Sequence, residues 1–313
     1  LQNTLKEFSR EDIAAGIQSL IAKLMIEYVE CVIEKFSGNK KTNLFLAGGI
    51  FANIKLNQKI SNLENVKYCY VFPNMGDGGL GAGCALDVNF KYNYMSVKNK
   101  QTMFLGSHYP SLKRNLISNS KYEILNYTNL YQFIATKLAQ KKIFGIFQGK
   151  MEYGPRALGN RSIICSAEDI SINNILNAKL KRSEFMPFAP CVLQEDFNNF
   201  FETNMKPEDF EYMTFTCKTK KICEDLVPAI VHIDKTARPQ TVSKTKNNFL
   251  HSVLQEFKKI TGTGLLINTS FNVHEEPIVE SHEDALKAFE MSKLDYLVLE
   301  NLGFAKMPAT HFQ

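Results

Sequence analysis

The chain has 313 residues, 44% of them hydrophobic and 23 of them Phe, enough to bury the cores of about two domains and to exclude global disorder. Its net charge of +5 is spread over interspersed lysines and acids, which favours small anionic ligands over nucleic acid. Seven cysteines lack zinc-type spacing, and no apolar run reaches the roughly 18–20 residues that span a membrane, so a reducing cytosol without disulfides or a membrane span is expected.

Residues 9–36 are predicted as a long helix. Ser9 and Asp12 stand at capping-box spacing, Ile13, Ile17, Leu20, Leu24, Val29, Val32 and Phe36 keep helical spacing, and Gly38 is a stop signal. A buried strand over 43–47 runs into Gly48-Gly49, followed by a helix over 50–60. A second strand, 66–72, reaches Pro73 and the glycine-dense segment 76–83. Strand, glycine turn and helix, repeated, predict an α/β layer with ligand loops at strand ends. Periodicity fades over 88–128, which places a domain boundary near residue 100. Beyond it, helices are predicted over 130–140, 170–180, 248–260 and 281–291. Strands are predicted over 142–147, 163–166, 212–218, 229–234, 264–268 and 296–299. The second half is thus α/β or α+β.

The chain begins with Leu1, which is the pattern of a fragment. Arginine usage is the strongest chemical signal. Only six arginines occur against 31 lysines, and four of the six lie in three short motifs. Arg156 and Arg161 belong to Gly149-Lys-Met-Glu-Tyr-Gly-Pro-Arg-Ala-Leu-Gly-Asn-Arg-Ser162. Arg182 opens Arg-Ser-Glu-Phe-Met-Pro-Phe-Ala-Pro190, and Arg238 lies in His232-Ile-Asp-Lys-Thr-Ala-Arg-Pro-Gln240. A guanidinium grips phosphate or carboxylate through two parallel hydrogen bonds, which an ammonium cannot do, so this bias points to phosphate handling. In the 149–162 segment, Lys150, Arg156 and Arg161 supply cations on a backbone shaped by glycine and proline. Glu152 then positions an arginine or accepts from a ligand hydroxyl.

Other motifs leave alternatives open. Gly76-Asp-Gly-Gly-Leu-Gly81 fits a dinucleotide loop, but no acidic residue ends a second strand about 20 positions on. A nucleotide or metal loop with Asp77 as a hard oxygen ligand is one account, and Asp77 as the cap of the following helix is another. Gly48 and Gly49 either admit a base or ribose or allow close strand–helix packing. Asn53 and Asn57, one helical turn apart, either face a ligand together or are exposed amides. The lysines before the Arg182 motif also complement a helix dipole. His232 is a candidate ligand contact or an ordinary hydrogen-bonding residue at a strand end. Asn268, Ser270 and Asn272 follow a buried strand and either line a cleft or form a turn.

In order along the chain, these motifs resemble the NodU/CmcH-type O-carbamoyltransferases. The match comprises Leu46-Ala-Gly-Gly with Asn53, the Gly76 loop, the 149–162 segment, Phe-Met-Pro-Phe-Ala-Pro, the His232–Gln240 motif with Thr-Val, and Asn-Thr-Ser-Phe-Asn-Val. Glu276-Pro-Ile-Val and Leu294-Asp-Tyr-Leu-Val-Leu also agree. The resemblance implies that residues 1–100 are the second half of an actin-like ATPase (ASKHA) domain and 101–313 a YrdC-like α/β domain. It implies activation of carbamoyl phosphate with ATP as carbamoyl-adenylate, then transfer to an acceptor hydroxyl beside a divalent metal, iron where identified. Carried over by motif, Arg156, Arg161 and Arg182 bind carbamoyl phosphate and nucleotide phosphates. Lys181, Arg238 and Asn268 to Asn272 line that site, and Asp77 is a metal ligand.

Two departures stand out. Lys150 replaces a family arginine, and the family's H-x-x-x-H metal pair has no counterpart among the six histidines. Family enzymes are also longer at the N-terminus, so the expected metal site is incomplete here. The expectation is the C-terminal part of an ATP-dependent O-carbamoyltransferase acting on a sugar, antibiotic or lipo-oligosaccharide. The alternatives are a non-catalytic nucleotide-binding half needing a separate N-terminal partner or pairing as a homodimer, and a YrdC-like RNA-binding module. The low arginine count disfavours RNA.

Overall fold

The computed structural model describes residues 6–38, 40–92, 102–109, 122–181 and 188–306. They form an α/β protein with two compact units, Leu1–Gly79 and Leu80–Gln313. Arg182 and most of the expected boundary segment around residue 100 lie outside the described residues.

In the first unit, helix α1 (Arg10–Ser37) starts where the Ser9 hydroxyl accepts from the Asp12 amide at 3.0 Å and stops at Gly38, whose φ is 58°. Strands β1 (Thr42–Leu46) and β2 (Val66–Val71) pair in parallel. The predicted 50–60 helix is divided into a 3₁₀ turn, Gly49–Ala52, and α2 (Ile54–Ser61), because Asn53 breaks the run and caps α2 through the Leu56 amide at 3.2 Å. Leu56, Asn57 and Ile60 of α2 are buried. Of the predicted apolar ridge of α1, Val29 is buried, while Ile17, Leu20, Leu24 and Phe36 stay exposed; Ala22 and Ile33 are the other buried residues of the helix, and Tyr28 is exposed.

The second unit opens with α3 (Leu80–Tyr92). After it come β3 (Tyr122–Ile124), α4 (Leu130–Ala139), β4 (Phe144–Phe147), β5 (Arg161–Cys165), α5 (Ile172–Lys179) and β6 (Ala189–Leu193). Next are α6 (Phe197–Phe200), β7 (Phe201–Glu202), β8 (Cys217–Thr219), α7 (Lys221–Leu226), β9 (Thr236–Ala237) and β10 (Gln240–Val242). The unit closes with α8 (Asn248–Thr261), β11 (Leu265–Ser270), α9 (His282–Ser292), β12 (Tyr296–Leu299) and β13 (Leu302–Lys306).

Among the described residues the main sheet has eight strands in the order β10-β6-β11-β5-β4-β12-β13-β3, and β7-β8-β9 make a smaller one. Every residue of β4, β5 and β6 is buried, as expected of strands covered on both faces. Helices α4 and α8 pack together, and Ile134, Leu138, Leu250, Leu254 and Phe257 join Phe144, Ile146, Ile164 and Leu193 in one core. Burial of such side chains contributes about 1.5–3 kcal/mol each, which makes this packing the main source of the unit's stability. The sequence did not suggest β6, because Pro187 precedes it and Pro190 lies inside it. Pro190 is tolerated inside this central strand because β10 pairs only with Cys191, Val192 and Leu193 and does not reach it. The predicted 229–234 strand is instead a 3₁₀ turn, Pro228–Ile230, and a tight turn closed by His232 and Thr236.

Candidate anion site

Strands β4 and β5 pair antiparallel with Phe147 opposite Arg161, so residues 148–160 form a closed loop. Two buried charged groups fill it. Glu152 Oε1 accepts from the amides of Leu158 at 2.6 Å, Asn160 at 2.9 Å and Arg161 at 3.3 Å. Burial raises the Glu152 carboxyl above its ordinary range, and these amides act in the opposite direction. Arg161 donates to the carbonyls of Gln148 at 3.1 Å, Asn160 at 3.0 Å, Gly149 at 3.1 Å and Ser107 at 3.3 Å. Its guanidinium carbon lies 3.5 Å from the centroid of the Phe147 ring. Its two terminal nitrogens are spent on backbone oxygens, while its Nε, like that of Arg156, has no hydrogen-bond partner among the described residues. Burial pushes its guanidinium down while Glu152 and Glu300 act to raise it.

Neighbouring elements pin the loop from outside. Gln240, on β10, donates to the Leu158 carbonyl at 2.8 Å, and Asn247, the cap of α8, reaches the same carbonyl at 3.3 Å and Asn160 Oδ1 at 3.2 Å. Asn268, on β11, donates to the Ala157 carbonyl at 3.1 Å. Gly159 is required here. Its φ is 115°, and a Cβ would lie 2.8 Å from both Asn247 and Leu250.

Arg156 is carried on this pinned loop, and its environment differs from that of Arg161. It is half-buried, its Nε is fully buried, and among the described residues that atom has no hydrogen-bond partner. Burial pushes its guanidinium down. Arg238, just before β10, is pushed down to about 9, first by burial and then by the charge of Arg156. No ion pair joins either arginine to an acid among the described residues. Two desolvated like charges without a counterion are unfavourable together, and an anion between them reverses the sign of that energy.

The other predicted site residues lie as follows. Asn268 is buried between the Arg156 loop and Gln240. Ser270 donates to Asn272 Oδ1 at 2.5 Å, and Asn272 Nδ2 bonds the Glu276 carbonyl at 2.8 Å, so these two shape the turn after β11. Lys150 and Lys181 are exposed. Lys181, with φ 55°, follows the end of α5. His232 sits in the tight turn before β9, its amide donating to the Thr236 carbonyl at 2.9 Å. Gly48, Gly49, Asn53 and Asp77 belong to the first unit. There the Gly48 amide donates to the Met75 carbonyl at 2.6 Å, which ties the first glycine turn to the second. Asn57 is no exposed amide: it is buried and donates to the Phe51 carbonyl at 2.7 Å. Asp77 begins a 3₁₀ turn and is exposed. Among the described residues no three His, Cys, Asp or Glu side chains gather to hold a metal ion.

Sequence reasoning did not single out Gln240, Asn247 and Ser107. A polar residue opening an apolar strand was the available signal for Gln240, and the helix-cap pattern was the signal for Asn247. Ser107 acts through its backbone carbonyl, which leaves no trace in residue type.

Fold and site together describe an α/β protein whose second unit carries two desolvated arginines, Arg156 and Arg238, on or beside a pinned loop. Comparison with known proteins identifies the lineage. The family description "Carbamoyltransferase C-terminus" matches residues 135–306, and "Carbamoyltransferase N-terminus" matches 1–86. The chain belongs to the carbamoyltransferase family. It is 35% identical over 309 residues to an uncharacterised protein of Methanocaldococcus jannaschii, covering 96% of this chain and 50% of that protein. It is 33% identical over 306 residues to nodulation protein NolNO of Sinorhizobium fredii, covering 96% of this chain and 45% of that one. The chain thus spans about half the length of these curated relatives. Among solved structures, full-length HypF in its phosphate- and nucleotide-bound form is similar at 20% identity and a TM-score of 0.43, over 57% of this chain and 22% of that one. No helix among the described residues is long and apolar enough to cross a membrane.

Proposed function

We propose that the second unit activates carbamoyl phosphate with ATP as carbamoyl-adenylate, as part of an O-carbamoyltransferase. One observation carries this reading: Arg156 and Arg238 are two desolvated guanidiniums without a counterion among the described residues, in a chain of the carbamoyltransferase family. Carbamoyl phosphate and ATP each bring phosphate charge to such a pair. Forming the adenylate releases pyrophosphate. For atoms to balance, one water is consumed and inorganic phosphate leaves. Two fixed cations lower the cost of bringing the anionic reactants together and stabilise charge on the departing groups. Arg182 joins them by motif. Glu152 and Arg161 hold the loop, and Lys150, Lys181, His232, Ser270 and Asn272 border the ligand.

In the same reading the first unit is part of an ASKHA-like transfer domain, with Gly48, Gly49 and Asn53 toward nucleotide, and the second is YrdC-like. The hydroxyl acceptor is a small molecule or glycan. The setting is a reducing cytosol, which the seven free cysteines support. Incubation of the chain with ATP and carbamoyl phosphate is expected to release pyrophosphate. Absence of release, with Arg156→Ala indistinguishable from the parent, sinks the reading.

A second reading is favoured by the exposed stripe Ile17, Leu20, Leu24 and Tyr28 on α1, together with exposed Phe45 on β1. An apolar surface of this kind marks an interface, so the chain completes its transfer site only with another polypeptide. A strictly monomeric, transfer-competent chain excludes it.

A further inference from the structure

The amide of Asn268 is fixed in one orientation. Its Nδ2 donates to the Ala157 carbonyl at 3.1 Å and to Gln240 Oε1 at 2.7 Å. The first partner is an acceptor by nature. The second is held as an acceptor because the nitrogen of Gln240 is spent on the Leu158 carbonyl at 2.8 Å. Turning Asn268 over would therefore set its oxygen against two oxygens. The locked orientation leaves Oδ1 buried and, among the described residues, without a hydrogen-bond partner, in a residue only 1% exposed. A buried acceptor in that state calls for a donor.

Asn268 also joins the two segments that carry the arginine pair. It bonds the residue after Arg156 and the residue two beyond Arg238. A ligand that satisfies all three groups needs anionic oxygens for the guanidiniums and an N–H for Oδ1. Carbamoyl phosphate has both on adjacent groups. Acetyl phosphate has the same anion and nearly the same shape, with a methyl in place of the NH₂. We infer that Asn268 is the specificity-determining residue that accepts a hydrogen bond from the carbamoyl nitrogen and so distinguishes a carbamoyl donor from an acyl donor. The inference rests on the reading that the arginine pair binds carbamoyl phosphate.

The test is calorimetric titration of the chain with carbamoyl phosphate, acetyl phosphate and inorganic phosphate, in the parent and in Asn268→Ala. The parent is expected to prefer carbamoyl over acetyl phosphate by roughly tenfold or more, because the methyl leaves Oδ1 unpaired. Asn268→Ala brings the affinities for the two esters to within about twofold of one another. Asn268→Ser, which can still donate to Ala157 but has no acceptor at the Oδ1 position, gives the same levelling and serves if the alanine variant does not fold. Equal affinity for the two esters in the parent overturns the inference and leaves the arginine site standing. Persistence of the preference in both variants also overturns it. Failure of all three ligands to bind, or binding indifferent to Arg156→Ala, overturns the arginine site and the inference with it.

Discussion

The carboxylate of Glu152 lies 2.6 Å from the amide of Leu158, six residues further along the same loop. Arg156 lies between them in sequence, so this contact and its companions at Asn160 and Arg161 fix the base on which that guanidinium is carried. Removing the carboxylate leaves three buried amides without their acceptor. Glu152→Ala is expected to lower stability by about 3–5 kcal/mol, measured by urea unfolding. Glu152→Gln retains an acceptor and costs less. It also removes a pH dependence. Burial holds the folded-state carboxyl above its ordinary range, so the folded chain binds the extra proton. Parent stability relative to Glu152→Gln is therefore highest in acid and falls as pH rises from the ordinary carboxylate range through the raised value.

Arg156 and Arg238 hold unfavourable energy in the absence of an anion. Replacing either by Leu is expected to raise thermal stability without ligand, by an amount on the order of 1–2 kcal/mol, and to weaken phosphate binding at least tenfold. Phosphate or ATP raises the Tm of the parent and moves that of Arg238→Leu much less. A variant that is both less stable and unchanged in phosphate response contradicts the unpaired-charge account.

Alkaline pH probes the same pair. With Arg238 pushed down to about 9, its positive charge is complete near neutrality and is lost as pH climbs through that value. Folding is opposed by this charge below about 9, and the opposition fades above it, because the unfolded chain keeps its proton to higher pH. Phosphate affinity is expected to fall between pH 8 and pH 10 in the parent, with a flatter profile in Arg238→Leu when followed by calorimetry.

Arg161 belongs to the scaffold of the loop. Arg161→Lys keeps the charge but cannot fork to four carbonyls, so a loss of about 2–4 kcal/mol in stability is expected. Limited proteolysis of the variant is expected to cut within 148–160. Gly159→Ala gives a loss of about 2 kcal/mol or more by a different route, through its φ of 115° and the close approach of Asn247 and Leu250.

Much of this arrangement was legible in the sequence, and the reasons for the gaps are physical. The capping residue Ser9 and the stop at Gly38 act locally, so residue type and spacing reveal them. The strands β4, β5, β11 and β12 announce themselves as apolar runs. Strand β6 hides behind its prolines, since whether Pro190 is tolerated depends on the length of β10. Arg156 and Arg161 look alike in sequence but differ in what surrounds their terminal nitrogens. Arg161 donates to four carbonyl oxygens, whereas among the described residues Arg156 has no such bond. That difference is tertiary. The apolar spacing of α1 marked a helix correctly, but spacing alone does not say what covers the ridge.

The contacts that pin the Arg156 loop span long stretches of chain: Asn268 reaches Ala157 across 111 positions, and Gln240 reaches Leu158 across 82. Closing such loops is entropically slow, and no shorter route places these groups together. Recovery of phosphate binding during refolding is therefore expected to lag behind helix formation and to coincide with completion of the central sheet. The arginine pair would then serve as a built-in reporter of the finished second unit, silent in any partly folded chain.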